Sequence, residues 1–330
     1  MLIKPHTSTR EIDLSRFHVM TMISNHAYGR LGHEYRSRYR LYEAFKARLE
    51  RAGIKLWTIE LAFGERPHVV TQPDDIQDLQ FRTQTELWHK ERALKLMKQH
   101  LTETYPDWQA LAWIDADVEF PNWDGEHAWY RETCKALHHF GVVQLFQTAV
   151  DLGPDGQALH THTGFGYAYR KGLPFKSGYQ NWHPGFAWAA RRETLEATDF
   201  IDFGILGSGD RHMACGWVGK ILDSVSHEVS PAYIRRLVQW QDQAERYVRR
   251  NLGFVPGSIL HHWHGRKKDR RYQDRWKILV DTQFDPERDI KTDCYGLYTW
   301  ADHGDTRSVE MRDKVRDYFT MRNEDSIDLE

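Results

Sequence analysis

The 330-residue sequence predicts an α/β protein in which a mixed, mainly parallel sheet is flanked by helices, with a basic helical elaboration towards the C-terminus. Two observations support this fold class. Apolar runs of strand length alternate along the chain with segments whose apolar residues recur at helical spacing. The first run, the helical segment after it and the next run have the length of a parallel strand–helix–strand crossover, a unit that binds ligands at the carboxyl ends of its strands.

The individual elements follow from the same patterns. Residues 17–24 form an apolar first strand, and helical spacing over residues 36–52 stops at Gly53, just before a second strand at 55–63. The other predicted elements are strands at 110–114, 141–146 and 186–190 and helices at 86–100, 123–140, from 191 onward and at 212–222. Residues 151–180 are rich in Gly, His and Tyr, which is typical of a long active-site loop.

Composition restricts the class of protein. Hydrophobic residues make up 40% and charged residues 28%, as in a globular domain with a sizeable core, and the net charge of −2 argues against a uniformly basic nucleic-acid binder. Three widely spaced cysteines predict neither a disulfide framework nor a zinc motif. No apolar stretch approaches the roughly 18 residues of a membrane span and no signal-peptide core begins the chain, so we expect a cytoplasmic protein.

The tripeptide Asp115-Ala116-Asp117 directly follows the apolar run at 110–114. Residues i and i+2 of a strand face the same way, so the strand delivers both carboxylates to one place at its tip. Such oxygens suit Mg²⁺ or Mn²⁺, whose open positions substrate phosphate oxygens can fill. The motif therefore indicates a site for a nucleotide or a nucleotide-sugar, although a surface turn after a buried strand also favours Asp.

Two later motifs complete a pattern. They are the acidic loop Leu206-Gly207-Ser208-Gly209-Asp210 and the segment His261-His262-Trp263-His264-Gly265. Over residues 17 to 280 this order resembles the GT-A glycosyltransferases, especially a group of bacteriophage-encoded members that share Leu87-Trp88-His89-Lys90-Glu91-Arg92 and Trp113-Ile114-Asp115-Ala116-Asp117.

The resemblance implies a domain organisation. Residues 1–280 would form a GT-A-like, Rossmann-like domain, with a nucleotide-binding half at 17–120 and an acceptor half at 121–280. Residues 281–330 would be a C-terminal extension. A phage-encoded enzyme of this kind would work in the host cytoplasm on a nucleotide-sugar, and a uridine diphosphate sugar is the expected donor because that donor is usual for Asp-x-Asp enzymes.

The resemblance also implies a metal site. Asp115 would lie near the ribose and the metal-bound water, and Asp117 would bind the metal directly. His264 would complete the metal shell, with His262 as a substitute or a partner. Because an imidazole is more usual around Mn²⁺ than around Mg²⁺, manganese is the favoured cation.

The acidic loop supplies a candidate catalytic base. By resemblance, Asp210 would accept the proton of the acceptor hydroxyl in an inverting reaction, and the flanking glycines would let the acceptor come close. The family often has a Glu-Asp pair here, whereas this chain has a single Asp before Arg211. Asp is also a favoured helix N-cap, so Asp210 could begin the helix predicted at 212–222.

Six further residues are candidates for binding the donor. Ser24, Asn25 and Glu60 follow or end predicted strands, Lys90 and Arg92 lie on the helix before the Asp-x-Asp strand, and Trp182 could stack on a sugar. Each has a structural alternative. Glu60 could be a solvated strand-end carboxylate, the two cations could form a solvated helix face, and Trp182 could be a core residue beside a structural turn at Pro184-Gly185.

The segment between residues 231 and 280 has a different charge from the rest of the chain, with twelve basic residues against four acidic ones. Basic side chains interleaved with aromatic ones could bind a polyanion, whereas solvated helices with i,i+4 pairs would give the same composition. Together with the phage resemblance, this ranks a hydroxymethylated pyrimidine in DNA first among the acceptors. A saccharide or a protein is the alternative.

Two other classes of function compete with glycosyl transfer. A metal-dependent nucleotidyltransferase or phosphate-ester hydrolase also holds metal and phosphate with carboxylates, but such enzymes usually need more carboxylates around two cations. A non-catalytic carbohydrate-binding protein would account for the aromatic content of 13% but would leave the paired aspartates without a task.

Overall fold

The computed structural model describes residues 11–25, 36–122, 124–174, 182–266 and 274–321. Its strands are β1 (Phe17–Ser24), β2 (Leu56–Phe63), β3 (Asp78–Thr83), β4 (Ala110–Ile114), β5 (Val118–Glu119), β6 (Val142–Gln144), β7 (Thr148–Leu152), β8 (Ala158–Thr163), β9 (Ala187–Arg191), β10 (Leu252–Phe254), β11 (Ser258–His261), β12 (Ile290–Thr292) and β13 (Tyr298–Trp300). Its α-helices are α1 (Arg36–Arg51), α2 (Lys90–Thr104), α3 (Trp129–His139), α4 (Phe165–Arg170), α5 (Arg192–Thr198), α6 (Gly209–Trp217), α7 (Pro231–Val248), α8 (Asp274–Asp281) and α9 (Thr306–Thr320).

The larger sheet has seven strands in the order β10-β6-β9-β4-β1-β2-β3. All pairs in it are parallel except those that β9 makes with β4 and β6. The central strands β4 and β9 are buried along their whole length, as expected for strands covered on both faces. The predicted fold class, a mixed and mainly parallel sheet flanked by helices, is confirmed.

A second sheet begins where β4 ends. Its order is β5-β11-β7-β8, and β5 starts one residue after Asp117. In the ladder between β5 and β11, His261 lies opposite Val118, and in the parallel ladder between β11 and β7 it lies opposite Asp151. This sheet therefore brings the late histidine-rich segment to the tip of β4.

Several local predictions need correction. The long loop predicted at 151–180 is wrong, because its described part contains the end of β7, β8 and α4. β8 is mostly exposed and carries four polar residues in succession, so its composition resembles that of a loop. The helix expected at 86–100 begins at Lys90, and the one expected at 123–140 begins at Trp129. The sequence does not predict the strands β3, β5, β7, β8 and β10 to β13.

The segment after residue 281 shares the core of the preceding chain. Met311 and Val315 of α9 belong to the same buried cluster as Met97 of α2 and Trp113 of β4. The domain boundary at 280 stays a prediction. Among the described residues, no helix is both long enough and apolar enough to cross a membrane.

Candidate active site

The tip of β4 is the centre of the candidate site. The N–H of Asp115 donates to the carbonyl oxygen of Phe186, just before β9 (2.8 Å), and the chain then turns, with the N–H of Val118 donating to the carbonyl oxygen of Asp115 (3.2 Å). The carbonyl oxygen of Asp117 accepts from the N–H of His262 (2.8 Å). These bonds fix the segment that follows β11 beside the second aspartate.

Three side chains from two distant segments, the metal trio Asp117, His261 and His264, converge here. Asp117 Oδ2 lies 3.0 Å from His264 Nε2 and 3.8 Å from His261 Nε2, and the two imidazole nitrogens are 3.3 Å apart. Both histidines are buried. The three ligand atoms lie within 4.8 Å of one another, a spacing suited to one metal ion, and within the described part of the chain this is the one such group.

The donor set of the trio fits a divalent cation. His261 Nδ1 lies 2.8 Å from Asp151 Oδ1, and because a carboxylate can only accept, Nδ1 is the donor. In the neutral ring the lone pair is then on Nε2, the nitrogen that faces Asp117. Two imidazole nitrogens suit first-row transition metals, and a carboxylate suits Mn²⁺. A site for Mg²⁺ would present mainly oxygen atoms.

The structure places His262 outside this group. Its Nε2 lies 2.9 Å from Glu119 Oε2, and the same oxygen pairs with Arg48 (2.6 Å). His261 is the last residue of β11, and successive side chains of a strand point to opposite faces, so His262 turns away from Asp117. Of the two histidines predicted as ligands, the structure brings His264 to Asp117, and it adds His261 where His262 was expected.

Lys90, the first residue of α2, joins the carboxylates of Asp115 and Asp210. Its Nζ lies 2.6 Å from Asp115 Oδ1 and 3.3 Å from Asp210 Oδ2. Burial opposes the charge on Lys90, but the carboxylates of Asp115, Asp210 and Glu91 outweigh it and raise the pKa of Lys90 well above its usual value. Burial raises the pKa of Asp115 to about 6, against the opposing effect of Lys90.

Asp210 lies in the first turn of α6 and is not its cap. Ser208, in the left-handed region (φ 82°), occupies the N-cap position after Gly207 (φ 90°). The cap role considered for Asp210 is therefore wrong, and its carboxylate extends towards Lys90. A Cβ at Gly185 would lie 3.5 Å from Asp210 Oδ2 and 3.1 Å from His183 Cε1, so Asp210 and the His183 ring both lie beside Gly185.

A second acid, Glu91, lies behind the acidic loop. A Cβ at Gly209 would lie 2.4 Å from Glu91 Cδ, so the Glu91 carboxyl group occupies the space where a side chain at 209 would begin. Trp88 Nε1 donates to Glu91 Oε2 (2.9 Å). Burial and then the charge of Asp210 raise the pKa of Glu91 to about 8. The loop has a single acid in sequence, yet α2 supplies another beside it.

Phe186 packs against the ring of His261. Its backbone is in the left-handed region (φ 76°), which is strained for a residue with a bulky side chain. Its ring stacks on the imidazole of His183 (centroids 3.9 Å apart, planes 7° apart) and lies 4.5 Å from the ring of His261. The strained residue thus contacts a metal-trio ring, while its carbonyl oxygen holds the N–H of Asp115.

Ser24 and Asn25 lie at the carboxyl end of β1, next to β4. Because β1 and β4 are parallel, both residues share an edge of the sheet with Asp115. The carbonyl oxygen of Ser24 accepts from Arg38 Nη1 (2.9 Å), and Asn25 is buried. Trp182 packs edge-on against Phe165 (5.5 Å) and is half-buried.

The structure gives Glu60 and Arg92 other partners. The Glu60 carboxylate accepts from the N–H groups of Val69, Val70 and Thr71 and from the Thr71 hydroxyl, at 2.6 to 3.0 Å, which holds a loop against β2. Arg92 Nη1 pairs with Asp202 (3.0 Å), and its Nε donates to the carbonyl oxygen of Gly296 (2.5 Å). Neither residue is brought to Asp117, and both fasten parts of the fold.

Sequence reasoning missed Asp151, His162 and Glu91, and it did not choose His261 as a ligand. Burial alternates along Thr148–Leu152, with Ala149 and Asp151 buried, but the residue types do not alternate, so the sequence carries no clear strand signal here. The contact of Glu91 with Gly209 joins positions 118 residues apart and leaves no local signal.

No known family profile matches the chain, and no curated protein matches it either. Among solved structures, the catalytic domain of Drosophila β1,4-galactosyltransferase 7, in complex with xylobiose, is 11% identical, with 86% of this chain and 95% of that chain covered and a TM-score of 0.35. A glycosyltransferase involved in glycosylation of the major capsid of PBCV-1 is 12% identical, with 90% and 98% covered and a TM-score of 0.26.

Proposed function

We propose that this protein is a metal-dependent glycosyltransferase, which moves a sugar from a nucleotide-sugar to a hydroxyl group. One observation carries the proposal. Asp115 lies two residues before Asp117 of the metal trio at the tip of β4, and Lys90 links Asp115 to Asp210. A cation site beside a carboxylate that can take a proton is the combination that this reaction needs.

The donor would bind along the carboxyl edge of β1 and β4. A divalent cation bound by the metal trio supplies charge that neutralises the leaving diphosphate. Ser24 and Asn25 at the end of β1 are the candidates to contact the nucleoside. The donor set favours Mn²⁺ over Mg²⁺, and a uridine diphosphate sugar is the donor that we propose to test first.

The acceptor would approach Asp210 from the side of Gly185. Asp210 would accept the proton of the attacking hydroxyl group, while Lys90, 3.3 Å from Asp210 Oδ2, holds the carboxylate in position. Because Lys90 is also bound to Asp115, the base is held at a fixed distance from the tip of β4. An inverting reaction needs such a base on the acceptor side.

We rank hydroxymethylated DNA first among the acceptors because of the basic composition between residues 231 and 280. Residues 267–273, the most basic part, lie outside the described residues. Arg275 is buried, with Nη1 directed at the carbonyl oxygen of Leu206 (3.4 Å), and Lys277 pairs with Asp281 (2.8 Å). A contact with DNA would therefore depend on the other basic residues, and a saccharide or a protein is the alternative acceptor.

The ligand set favours one competing function. Two histidines and one carboxylate also form the metal site of non-haem Fe(II) oxygenases. The carboxylate pair linked by Lys90 has no part in that chemistry, whereas it has one in hydroxyl activation. A nucleotidyltransferase is less well supported, since the described residues hold a single metal-type group.

The test is hydrolysis and transfer with a panel of nucleotide-sugars, each with Mn²⁺, Mg²⁺ or Fe²⁺. We expect Mn²⁺-dependent release of the nucleoside diphosphate and a raised melting temperature with one donor, since a ligand of the native state stabilises it. Asp117→Ala should reduce the rate by more than the roughly 100-fold that an outer partner of a metal ligand contributes.

Asp107→Asn is the matched control, because Asp107 is an exposed carboxylate paired with Arg16 (3.3 Å). It should keep the wild-type rate. Full activity of Asp117→Ala, or of the wild type in excess chelator, would contradict a metal-dependent transferase. Oxygen consumption with Fe²⁺ but no nucleotide release would favour the oxygenase.

A further inference from the structure

Asp151 lies between two imidazoles and is bonded to both. Its Oδ1 is 2.8 Å from His261 Nδ1, and its Oδ2 is 2.6 Å from His162 Nε2. Asp151 and His261 are buried, and His162 is half-buried at the neighbouring strand β8. A chain of hydrogen bonds therefore runs from the metal trio, through one carboxylate, to the outermost strand of the smaller sheet.

The strand register explains why these three side chains meet. His261 of β11 lies directly opposite Asp151 of β7, so both side chains project from the same face of the sheet. On the other side of β7, His162 of β8 lies opposite Ala149, two residues before Asp151. Because alanine is small, the His162 ring can lean diagonally over it to reach the carboxylate.

The chain determines which nitrogen of His261 can bind a cation. Nδ1 donates to Asp151, so in the neutral ring Nε2 carries the lone pair, and Nε2 is the nitrogen that faces Asp117 and His264. The Phe186 ring, 4.5 Å away, limits rotation of the imidazole. A carboxylate that accepts from a ligating histidine also increases the basicity of the ligand.

We propose that Asp151 is the positioning residue of the metal site, and that His162 orients Asp151 in turn. The inference rests on the proposed function only in that the trio binds a divalent cation. Asp151 acts through His261 and has no contact with substrate in this scheme. Its effect is on the affinity for the cation, before any sugar is transferred.

Glu119 and His262 provide a matched control. They form the same kind of pair at 2.9 Å, one residue further along the chain, but His262 lies outside the trio. If the sequence-based choice of His262 as ligand were right, neutralising Glu119 would weaken metal binding and neutralising Asp151 would not. The two substitutions Asp151→Asn and Glu119→Gln therefore distinguish the two ligand sets.

The experiment measures the Kd for Mn²⁺ alone, from the electron paramagnetic resonance signal of the free ion, with thermal melting of each metal-free protein alongside. We expect Asp151→Asn to weaken binding by about 10- to 100-fold, the usual effect of removing the partner of a metal-binding histidine. Glu119→Gln should bind as the wild type does. His162→Phe should weaken binding in the same direction, but less than Asp151→Asn.

A direct measurement on the wild type does not depend on whether the variants fold. Two-dimensional ¹H–¹⁵N NMR of the metal-free wild type should show that Nδ1 of His261 carries a proton. The opposite tautomer, or an Asp151→Asn protein that melts normally and binds Mn²⁺ as tightly as the wild type, overturns the proposal. If the wild type itself binds no Mn²⁺, or binds equally after Asp117→Asn, the metal trio is wrong and the proposed function fails with it.

Discussion

Lys90 Nζ lies 2.6 Å from Asp115 Oδ1, and this contact joins the start of α2 to the end of β4. The same ammonium group reaches Asp210 on α6 at 3.3 Å. The ammonium group of Lys90 thus links Asp115, which follows β4, to the candidate base Asp210. The site therefore draws residues from α2, α6 and the end of β4. Both carboxylates depend on the charge of Lys90.

Replacing Lys90 by Met should weaken both the fold and the reaction. Without the ammonium group, Asp115 and Asp210 lose their shared partner, and breaking a half-buried ion pair costs about 1 to 3 kcal/mol. We expect a lower free energy of unfolding in urea and a lower kcat, because the base loses its fixed position.

Lys90→Arg is the matched control for this prediction, since it keeps the positive charge. It should keep most of the stability. Equal losses of stability in the Met and Arg variants would show that packing, and not charge, is the contribution of Lys90.

A side chain at position 209 should displace Glu91. The Cβ of Gly209→Ala would meet Glu91 Cδ at 2.4 Å, and overpacking of this kind costs about 1 to 3 kcal/mol. The shift would move the first turn of α6, which carries Asp210. We expect Gly209→Ala to lower the melting temperature and the transfer rate.

Removing the Glu91 side chain should restore part of the stability that Gly209→Ala loses. In the double variant Gly209→Ala/Glu91→Ala the new methyl group has space, so the two effects should be less than additive in a double-mutant cycle. Strict additivity of the unfolding free energies would show that Gly209 and Glu91 do not interact.

Buried His18 should make stability depend on pH. Burial, and secondarily the charge of Lys55, lowers the pKa of His18 to about 4, and its Nδ1 accepts from Trp57 Nε1 (3.0 Å). Below the usual histidine pKa, His18 takes up a proton in the unfolded chain but not in the folded chain. The contribution of His18 is therefore complete above about pH 6.5 and is lost as the pH falls towards 4.

His18→Gln isolates this contribution, because glutamine keeps an acceptor for Trp57 but does not titrate. Unfolding in urea between pH 4.5 and 6 should show a slope against pH that is steeper in the wild type by up to about 1.4 kcal/mol per unit, the value for one proton. Other titrating groups affect both proteins and cancel in the comparison. Parallel curves would mean that folded His18 takes up the proton as readily as the unfolded chain.

The elements that the sequence predicted well are those with a strong local pattern. β1 and β4 have the bounds expected from their apolar runs, and β4 delivers Asp115 and Asp117 to its tip as the alternation of a strand requires. Both faces of these strands are buried, so a continuous apolar run is enough to identify them from the sequence.

The choice between His261 and His262 could not be made from the sequence. A shift of one residue sends a side chain to the opposite face, and the register of β11 against β5 and β7 decides the matter. Asp151 and His162 were missed for a related reason. Their strands are short and carry polar residues, so their composition is that of a loop until pairing is known.

The acceptor gives the last prediction. If DNA with a hydroxymethylated base is modified, transfer should fall steeply with salt, since each neutralised phosphate of duplex DNA contributes about 0.9 to the log–log slope and four contacts would give a slope of about 3.6. A small neutral saccharide would show no such dependence.

Arg270 and Arg271, which lie outside the described residues, are the candidates for these contacts. Reversing both to Glu should weaken acceptor binding and spare hydrolysis of the donor, whereas the same reversal at Arg312 and Arg316, on α9, should change neither. Should donor hydrolysis collapse together with transfer, the basic segment belongs to the donor site, and the composition no longer favours DNA.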